Sequence, residues 1–334
     1  MPDTLSTAVW FPKPRTVELR REPLPEDLGP DDVRIEAIAS AISHGTEMLV
    51  YRGQVPPDLE LDLPTLRGSF AFPIKYGYAS VGRVTDVGSA VEGVAPGDAV
   101  FIHHPHQSCF VVPSSMPIPL PSGLDPTLGV FLANVETALN VTLDAAPRIG
   151  ERIAIFGQGV IGLLLTQLVR RTGAASVTVV DPIAKRRDLA LHLGASHAMS
   201  PQELTNQRLE VDLAVEASGN AAALDQAIAS LAFGGTVVVC SWYGSKPVSL
   251  SLGGAFHRQG LRIVSSQVST IDAGLQPRWT HQRRLQVARD LLPQLNLQLL
   301  ISHRFPVEQA ADAYRLVDAT AEETVQVVLT YGQT

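Results

Sequence analysis

The stretch Gly157-Gln158-Gly159-Val160-Ile161-Gly162 follows an apolar run at 152–156 and opens a stretch at 160–171 that carries Leu164 and Leu168 at helical spacing. A glycine turn between a buried strand and a helix offers backbone amides, and the positive end of the helix, to a pyrophosphate. The first glycine permits the tight turn, the second lets phosphate approach the backbone, and the third lets helix and strand pack closely. Alone the motif is weak, because any glycine-rich α/β turn can match it. Asp181 supplies a second mark: it ends the next apolar run, 177–180, where a carboxylate can accept hydrogen bonds from an adenosine ribose. The candidate cofactor residues here are Gly157, Gln158, Gly159, Val160, Ile161, Gly162, Asp181 and Arg186. Asp181 argues for NAD, since a carboxylate repels a 2′-phosphate. Arg186, with Arg187, can turn toward such a phosphate and keeps NADP open.

The same alternation continues outward, with helices expected at 184–193 and 221–231 and strands at 213–216, 236–240 and 261–264. Apolar strands alternating with Ala/Leu-rich helices predict a doubly wound parallel sheet. Upstream, residues 1–126 are punctuated by Pro and Gly and hold short β-rich runs such as 33–37, 81–84 and 99–102. Downstream, a strand at 299–301, a helix at 307–317 and a terminal strand at 325–329 return to a different pattern. If that last strand rejoins the first domain, the dinucleotide unit is an insertion. The expected division is 1–133 with 270–334 against 134–269.

At 334 residues, 45% hydrophobic and 18% charged, the chain can bury two cores. Its net charge of −7, with no basic run longer than Lys185-Arg186-Arg187, offers little to a nucleic acid backbone. Its only cysteines, Cys109 and Cys240, are too few for a disulfide framework or a Cys-rich zinc lobe. No window approaches the roughly 20 apolar residues of a membrane span, and no basic-then-apolar leader opens the chain. A cytoplasmic protein acting on a small molecule is the expectation.

The order of a β-rich domain, a Rossmann unit and a short β-containing tail resembles the medium-chain dehydrogenase/reductase superfamily, with its GroES-like catalytic domain. Pro96-Gly97-Asp98-Ala99-Val100, Leu193-Gly194-Ala195 and Phe233-Gly234-Gly235-Thr236-Val237 carry the likeness. Within it, Ile42-Ser43-His44-Gly45-Thr46-Glu47 and His104-Pro105-His106-Gln107 look like the branch that includes hydroxyethyl-bacteriochlorophyllide dehydrogenases. His44 stands where that branch usually has Arg, so a chlorophyllide substrate is not implied.

In zinc-dependent relatives the three metal positions correspond by this resemblance to His44, Tyr78 and Ala133. Tyrosine and alanine do not complete a tetrahedral site of three protein ligands plus water, so no metal is expected. The resemblance implies hydride transfer between nicotinamide and an alcohol or ketone, and a homodimer formed through edge strands near 236–252. A carbonyl oxygen that gains charge without zinc needs donors. Tyr78 or His44 is the candidate donor, Thr46 the hydroxyl relay, and Glu136 a carboxylate that orients a substrate hydroxyl or His44, or else caps a helix near Asn134. Otherwise Tyr78 is a ring that fills the space of the lost ligand.

His103, His104 and His106 form a cluster readable as a polar loop, a substrate contact or a metal site. The resemblance also implies Ser218 and Gly219 beside the adenosine half of the dinucleotide, and Ser241 and Trp242 nearer nicotinamide. The arginines 278, 283 and 284 are read as an anion site or, more simply, a solvated or interface face. Reduction of an activated C=C bond, as in quinone and enoyl reductases, and a catalytically inactive dinucleotide-binding protein are the rival functions.

Overall fold

The computed structural model describes residues 5–61, 65–66, 68–207 and 209–332. Its first stretch carries β1 (Leu5–Phe11), β2 (Glu18–Pro23), β3 (Asp32–Ile42), α1 (Thr46–Tyr51), β4 (Ile74–Lys75), β5 (Ser80–Val87), β6 (Ala99–Ile102), β7 (Cys109–Pro113) and β8 (Ile118–Pro119). A three-stranded antiparallel sheet runs β2-β1-β4, and β3, β5, β6, β7 and β8 build a larger one. The sequence run 33–37 proves to be the first half of an eleven-residue strand, whose later part, Ala39 to Ile42, is buried on both faces.

From α2 (Leu132–Ala145) onward the chain alternates: β9 (Arg152–Phe156), α3 (Val160–Arg170), β10 (Ser176–Val180), α4 (Ala184–His192), β11 (His197–Met199), α5 (Pro201–Asn206), β12 (Val211–Glu216), α6 (Ala221–Ala229), β13 (Leu231–Val239), β14 (Arg262–Ser265) and α7 (His281–Leu291). Six strands pair in parallel in the order β11-β10-β9-β12-β13-β14, a doubly wound sheet with its switch point between β9 and β12. Ile153, Ala154, Ile155 and Phe156 are fully buried, which suits a central strand covered on both faces. Each large apolar side chain so removed from water contributes about 1.5–3 kcal/mol.

The final stretch, β15 (Ile301–Pro306), α8 (Ala310–Ala319) and β16 (Gln326–Thr330), returns to the first sheet, with β16 antiparallel to β3. The chain thus divides into one unit of 1–133 with 297–334 and another of 134–296. The expected boundary at 270 shifts because α7 belongs to the second unit. Its buried stripe, Arg284 and Ala288, packs there, and Arg284 bonds to α2. The strand expected at 299–301 starts at Ile301 as β15, because a 3-10 turn occupies Leu297–Leu300. The helix expected to begin near Asn134 is α2, which starts at Leu132. Among the described residues no helix is long and apolar enough to cross a membrane.

Candidate active site

In the second unit the glycine turn and Asp181 meet. Asp181 Oδ2 accepts the Gln158 amide at 2.7 Å and Oδ1 accepts the Ile183 amide at 2.8 Å, with the side chain 3% exposed. Each carboxylate oxygen keeps a further lone pair for a hydroxyl. Gly157 has φ +92°, and a Cβ there would lie 2.8 Å from Ser218. A Cβ on Gly162 would lie 1.9 Å from the Gly157 carbonyl oxygen, so only glycine lets α3 approach β9 this closely. Gly159 is the N-cap of α3, no side chain caps the helix, and nothing lies within 4 Å of where its Cβ would be. The first amides of α3 therefore open onto space beside a backbone that an anion can approach, and a pyrophosphate fits them.

Gln158 departs from the expectation. Its amide goes to Asp181, its side-chain amide donates to the Gly157 carbonyl, and its Oε1 accepts from Thr166 at 3.1 Å, so it braces the turn from within. Val160 and Ile161 keep their place at the open helix start. Arg187 spends its guanidinium on the Asp181 and Pro182 carbonyls at 2.8 and 3.0 Å, and Arg186 lies half-buried in the first turn of α4.

At the end of β12, Glu216 Oε1 gathers the Ser218 amide and hydroxyl at 2.6 Å each and the Gly219 amide at 2.9 Å. Gly219 also donates to Ser241 Oγ at 2.9 Å, tying the loop after β12 to the loop after β13. Trp242 is 43% exposed. All four of Ser218, Gly219, Ser241 and Trp242 thus follow strands at the carboxyl edge of the sheet, where ligands of open α/β sheets collect. A cavity of about 550 Å³ lined by Thr178, His197, Met199 and Glu203 flanks edge strand β11 and includes none of these residues.

In the first unit, Tyr78 is half-buried and donates its hydroxyl to Ser43 Oγ at 2.7 Å. Burial pushes that hydroxyl up to about 12 and Glu47 reinforces the shift, against the lowering pull of hydrogen bonds from Ser43 and Thr46. Ser43 and Tyr78 therefore pair their hydroxyls, with His44 half-buried on the same short connection between β3 and α1 and Thr46 half-buried at the start of α1.

Behind them Glu47 is wholly buried. Its Oε1 accepts from Tyr314 and faces His106 Nε2 at 2.8 Å, while Oε2 accepts the Ser43 amide at 3.1 Å. His106 Nδ1 meets Ser40 Oγ at 2.6 Å, and Ser40 meets Tyr331 at 2.8 Å. Neither Glu47 nor Ser43 was singled out from sequence as a site residue. The available signal was the apolar run Met48-Leu49-Val50-Tyr51, which drags the carboxylate at its head into the core.

The histidine cluster comes apart. His103 Nδ1 faces the Tyr78 carbonyl at 3.2 Å, His104 stacks on Phe110 at 3.7 Å between centroids, and His106 serves Glu47. Burial pulls His104 down to about 3, and its Nδ1 donates to the Pro105 carbonyl. Among the described residues no group of three His, Cys, Asp or Glu side chains can hold a metal ion. Ala133 offers no donor and Tyr78 holds its proton, so this donor set does not fit a tetrahedral zinc.

Glu136 is also reassigned. Its carboxylate takes Arg284 Nε at 3.1 Å within the second unit, with Arg284 only 2% exposed. Arg284 is neither solvated nor open to a substrate anion. Arg283 instead lies over the Trp279 ring at 4.5 Å.

A doubly wound sheet with an open glycine turn, in a chain whose β-rich unit is completed by a returning C-terminal strand, defines a dinucleotide-dependent dehydrogenase scaffold. Residues 29–118 match the alcohol dehydrogenase GroES-like domain and residues 160–280 the zinc-binding dehydrogenase family. The chain is 30% identical to the 2-desacetyl-2-hydroxyethyl bacteriochlorophyllide A dehydrogenase of Cereibacter sphaeroides, over 92% of this chain and 93% of that one. It belongs to the medium-chain dehydrogenase/reductase superfamily. It is also 27% identical to the D-guloside 3-dehydrogenase of Escherichia coli K12, over 90% and 93% of the two chains. A Sinorhizobium meliloti 1021 structure bound to NADP superposes with a TM-score of 0.80 at 22% identity, covering 98% of this chain and 100% of that one.

Proposed function

We propose that the chain is an alcohol dehydrogenase, or in the reverse direction a ketone reductase, that uses NAD without a catalytic zinc. The observation that carries this reading is Asp181 hydrogen-bonded to the glycine turn beside an uncapped helix start. Gly157, Gly159, Val160, Ile161 and Gly162 would receive the pyrophosphate, and Asp181 the adenosine ribose, with NADP the less favoured form because the carboxylate opposes a 2′-phosphate. Two relatives support a secondary alcohol on a ring-bearing molecule, since their names describe oxidation of a guloside and of a hydroxyethyl-bearing macrocycle.

The bound nicotinamide supplies or accepts the hydride. The chain's own part is to hold a proton at the substrate oxygen. In the reducing direction Ser43 gives its hydroxyl proton to that oxygen and is refilled by Tyr78, whose O–H already points at Ser43 Oγ. Thr46, at the start of α1 beside them, is the proposed relay by which a solvent proton returns to Tyr78, and His44 is the second candidate donor. A donor pushed up to about 12 stays protonated at neutral pH and still gives its proton to an alkoxide.

The assembly is expected to be a homodimer. Of the doubly wound sheet's two open edges, β11 and β14, the second is the proposed contact in place of 236–252, because β13 is paired on both sides and Ile263 and Val264 on β14 are 37% and 36% exposed. Light scattering of the purified protein checks this. The activity is checked by following the near-ultraviolet band of reduced nicotinamide across a panel of secondary alcohols and their ketones, with and without a strong chelator. Turnover that survives chelation supports the proposal. A reduced alkene with its carbonyl intact, or activity that returns only with added zinc, contradicts it.

A further inference from the structure

The strand order splits the second unit into two halves about the β9/β12 switch point. Asp181 marks the β10 half as the adenosine side, so the nicotinamide half of a dinucleotide falls over β12, β13 and β14. The segment that follows β14, residues 266–270, lies at the carboxyl edge of that second half; the Gln267 side chain accepts the Ser269 amide and hydroxyl and the Gln267 carbonyl accepts from Thr270, which folds the segment into a turn without fastening it to α2.

Arg284 does so from α7. Its Nε bonds Glu136 on α2 at 3.1 Å, and Nη1 reaches Asn140 Oδ1, also on α2, and the Thr270 carbonyl at 3.1 Å. Nη2 donates to the Val268 carbonyl. A second tie runs in parallel: Asp144 on α2 accepts the Ser266 hydroxyl at 2.5 Å and the Asn140 side-chain amide at 2.9 Å, and that same amide reaches Ser266 Oγ at 3.2 Å.

We infer that Arg284 is a positioning residue for the nicotinamide half of the cofactor, clamping segment 266–270 to α2 so that this edge of the sheet keeps one shape. The inference rests on the dinucleotide reading above. A buried guanidinium with several directional partners is costly to desolvate, and its fork geometry fits the two carbonyls as a lysine does not. Fixing the loop before binding removes an ordering cost that the nicotinamide would otherwise bear. The adenosine half, held by the glycine turn and Asp181, gains nothing from it.

The test compares ligands on the full chain. ADP-ribose probes the adenosine half alone, and the reduced dinucleotide that the native protein prefers probes both halves. Arg284→Lys is expected to weaken the reduced dinucleotide by about tenfold or more while ADP-ribose binds within about twofold of native. Ser266→Ala, which leaves the buried charge pair in place, is expected to shift the same ligand in the same direction by less. Equal losses for both ligands would make Arg284 a general stabiliser and overturn the inference, as would an Arg284→Lys protein that binds both as the native does. A native protein with no affinity for ADP-ribose or dinucleotide would remove the underlying reading, and this clamp with it.

Discussion

The two units handle negative charge in opposite ways. In the second, the start of α3 carries no capping side chain and leaves its amides facing open space. In the first, the Glu47 carboxylate is fully buried under Tyr314, His106 and the Ser43 amide. An uncapped helix start is a waiting site for a diffusible anion, whereas a saturated buried carboxylate has no room for one. Glu47 is therefore the scaffold of the first unit's site: it fixes the Ser43 backbone, which in turn holds the Tyr78 hydroxyl.

The sharpest way to break this contrast is at the glycine turn. Gly162→Val drives a side chain into the Gly157 carbonyl, and dinucleotide affinity is expected to fall by about 10³-fold, as three or more amide contacts are lost together. Calorimetric titration of folded protein reads it, and affinity within tenfold of native would separate the turn from cofactor binding. Glu47→Ala should act on stability instead. Leaving Tyr314, His106 and the Ser43 amide without their acceptor is expected to cost about 3–5 kcal/mol in urea unfolding. If the loss were below about 1 kcal/mol, the buried network would not be the first unit's scaffold.

Tyr78→Phe tests the hydroxyl group in front of Glu47. Turnover is expected to drop by about 10²-fold with dinucleotide affinity intact. Unchanged turnover would make Tyr78 the ring that fills a vacated ligand space and shift the role to His44.

The smallest effect belongs to His104. Its folded value, about 3, lies below the ordinary 6.5, so between those limits the unfolded chain binds a proton that the folded chain refuses. Its contribution to stability is complete above about pH 6.5 and is lost as pH falls toward 3. His104→Phe, which keeps the stack on Phe110, should flatten the pH dependence of the unfolding free energy across that window.

These regions also differ in how readily sequence betrays them. The glycine turn, Asp181 and most strands of the doubly wound sheet follow from local spacing, because the chemistry they share is local and backbone-driven. Ser40 with Glu47, His106, Tyr314 and Tyr331 come from four separate segments of the chain, and only the folded β3, β16 and α8 bring them together. No spacing rule links them. Gln158 misleads for the opposite reason: its place in the motif suggests phosphate contact, whereas its carboxamide and amide both turn inward.

Arg284 was partly legible. With Ala288 and Leu292 it falls on one helical face, and all three are buried, so an arginine on that stripe needed internal partners. The 3-10 turn at 297–300 escaped notice because Leu297, Leu299 and Leu300 give the apolar density of a strand without its regular alternation.

The central claim is that the open start of α3 and the Asp181 carboxylate together form a dinucleotide site. Fluorescence titration of the purified protein with NADH and NADPH tests it most directly. Saturable binding is expected, with dissociation constants of about 1–100 μM and NADH the tighter ligand. A protein with no measurable affinity for either would contradict it.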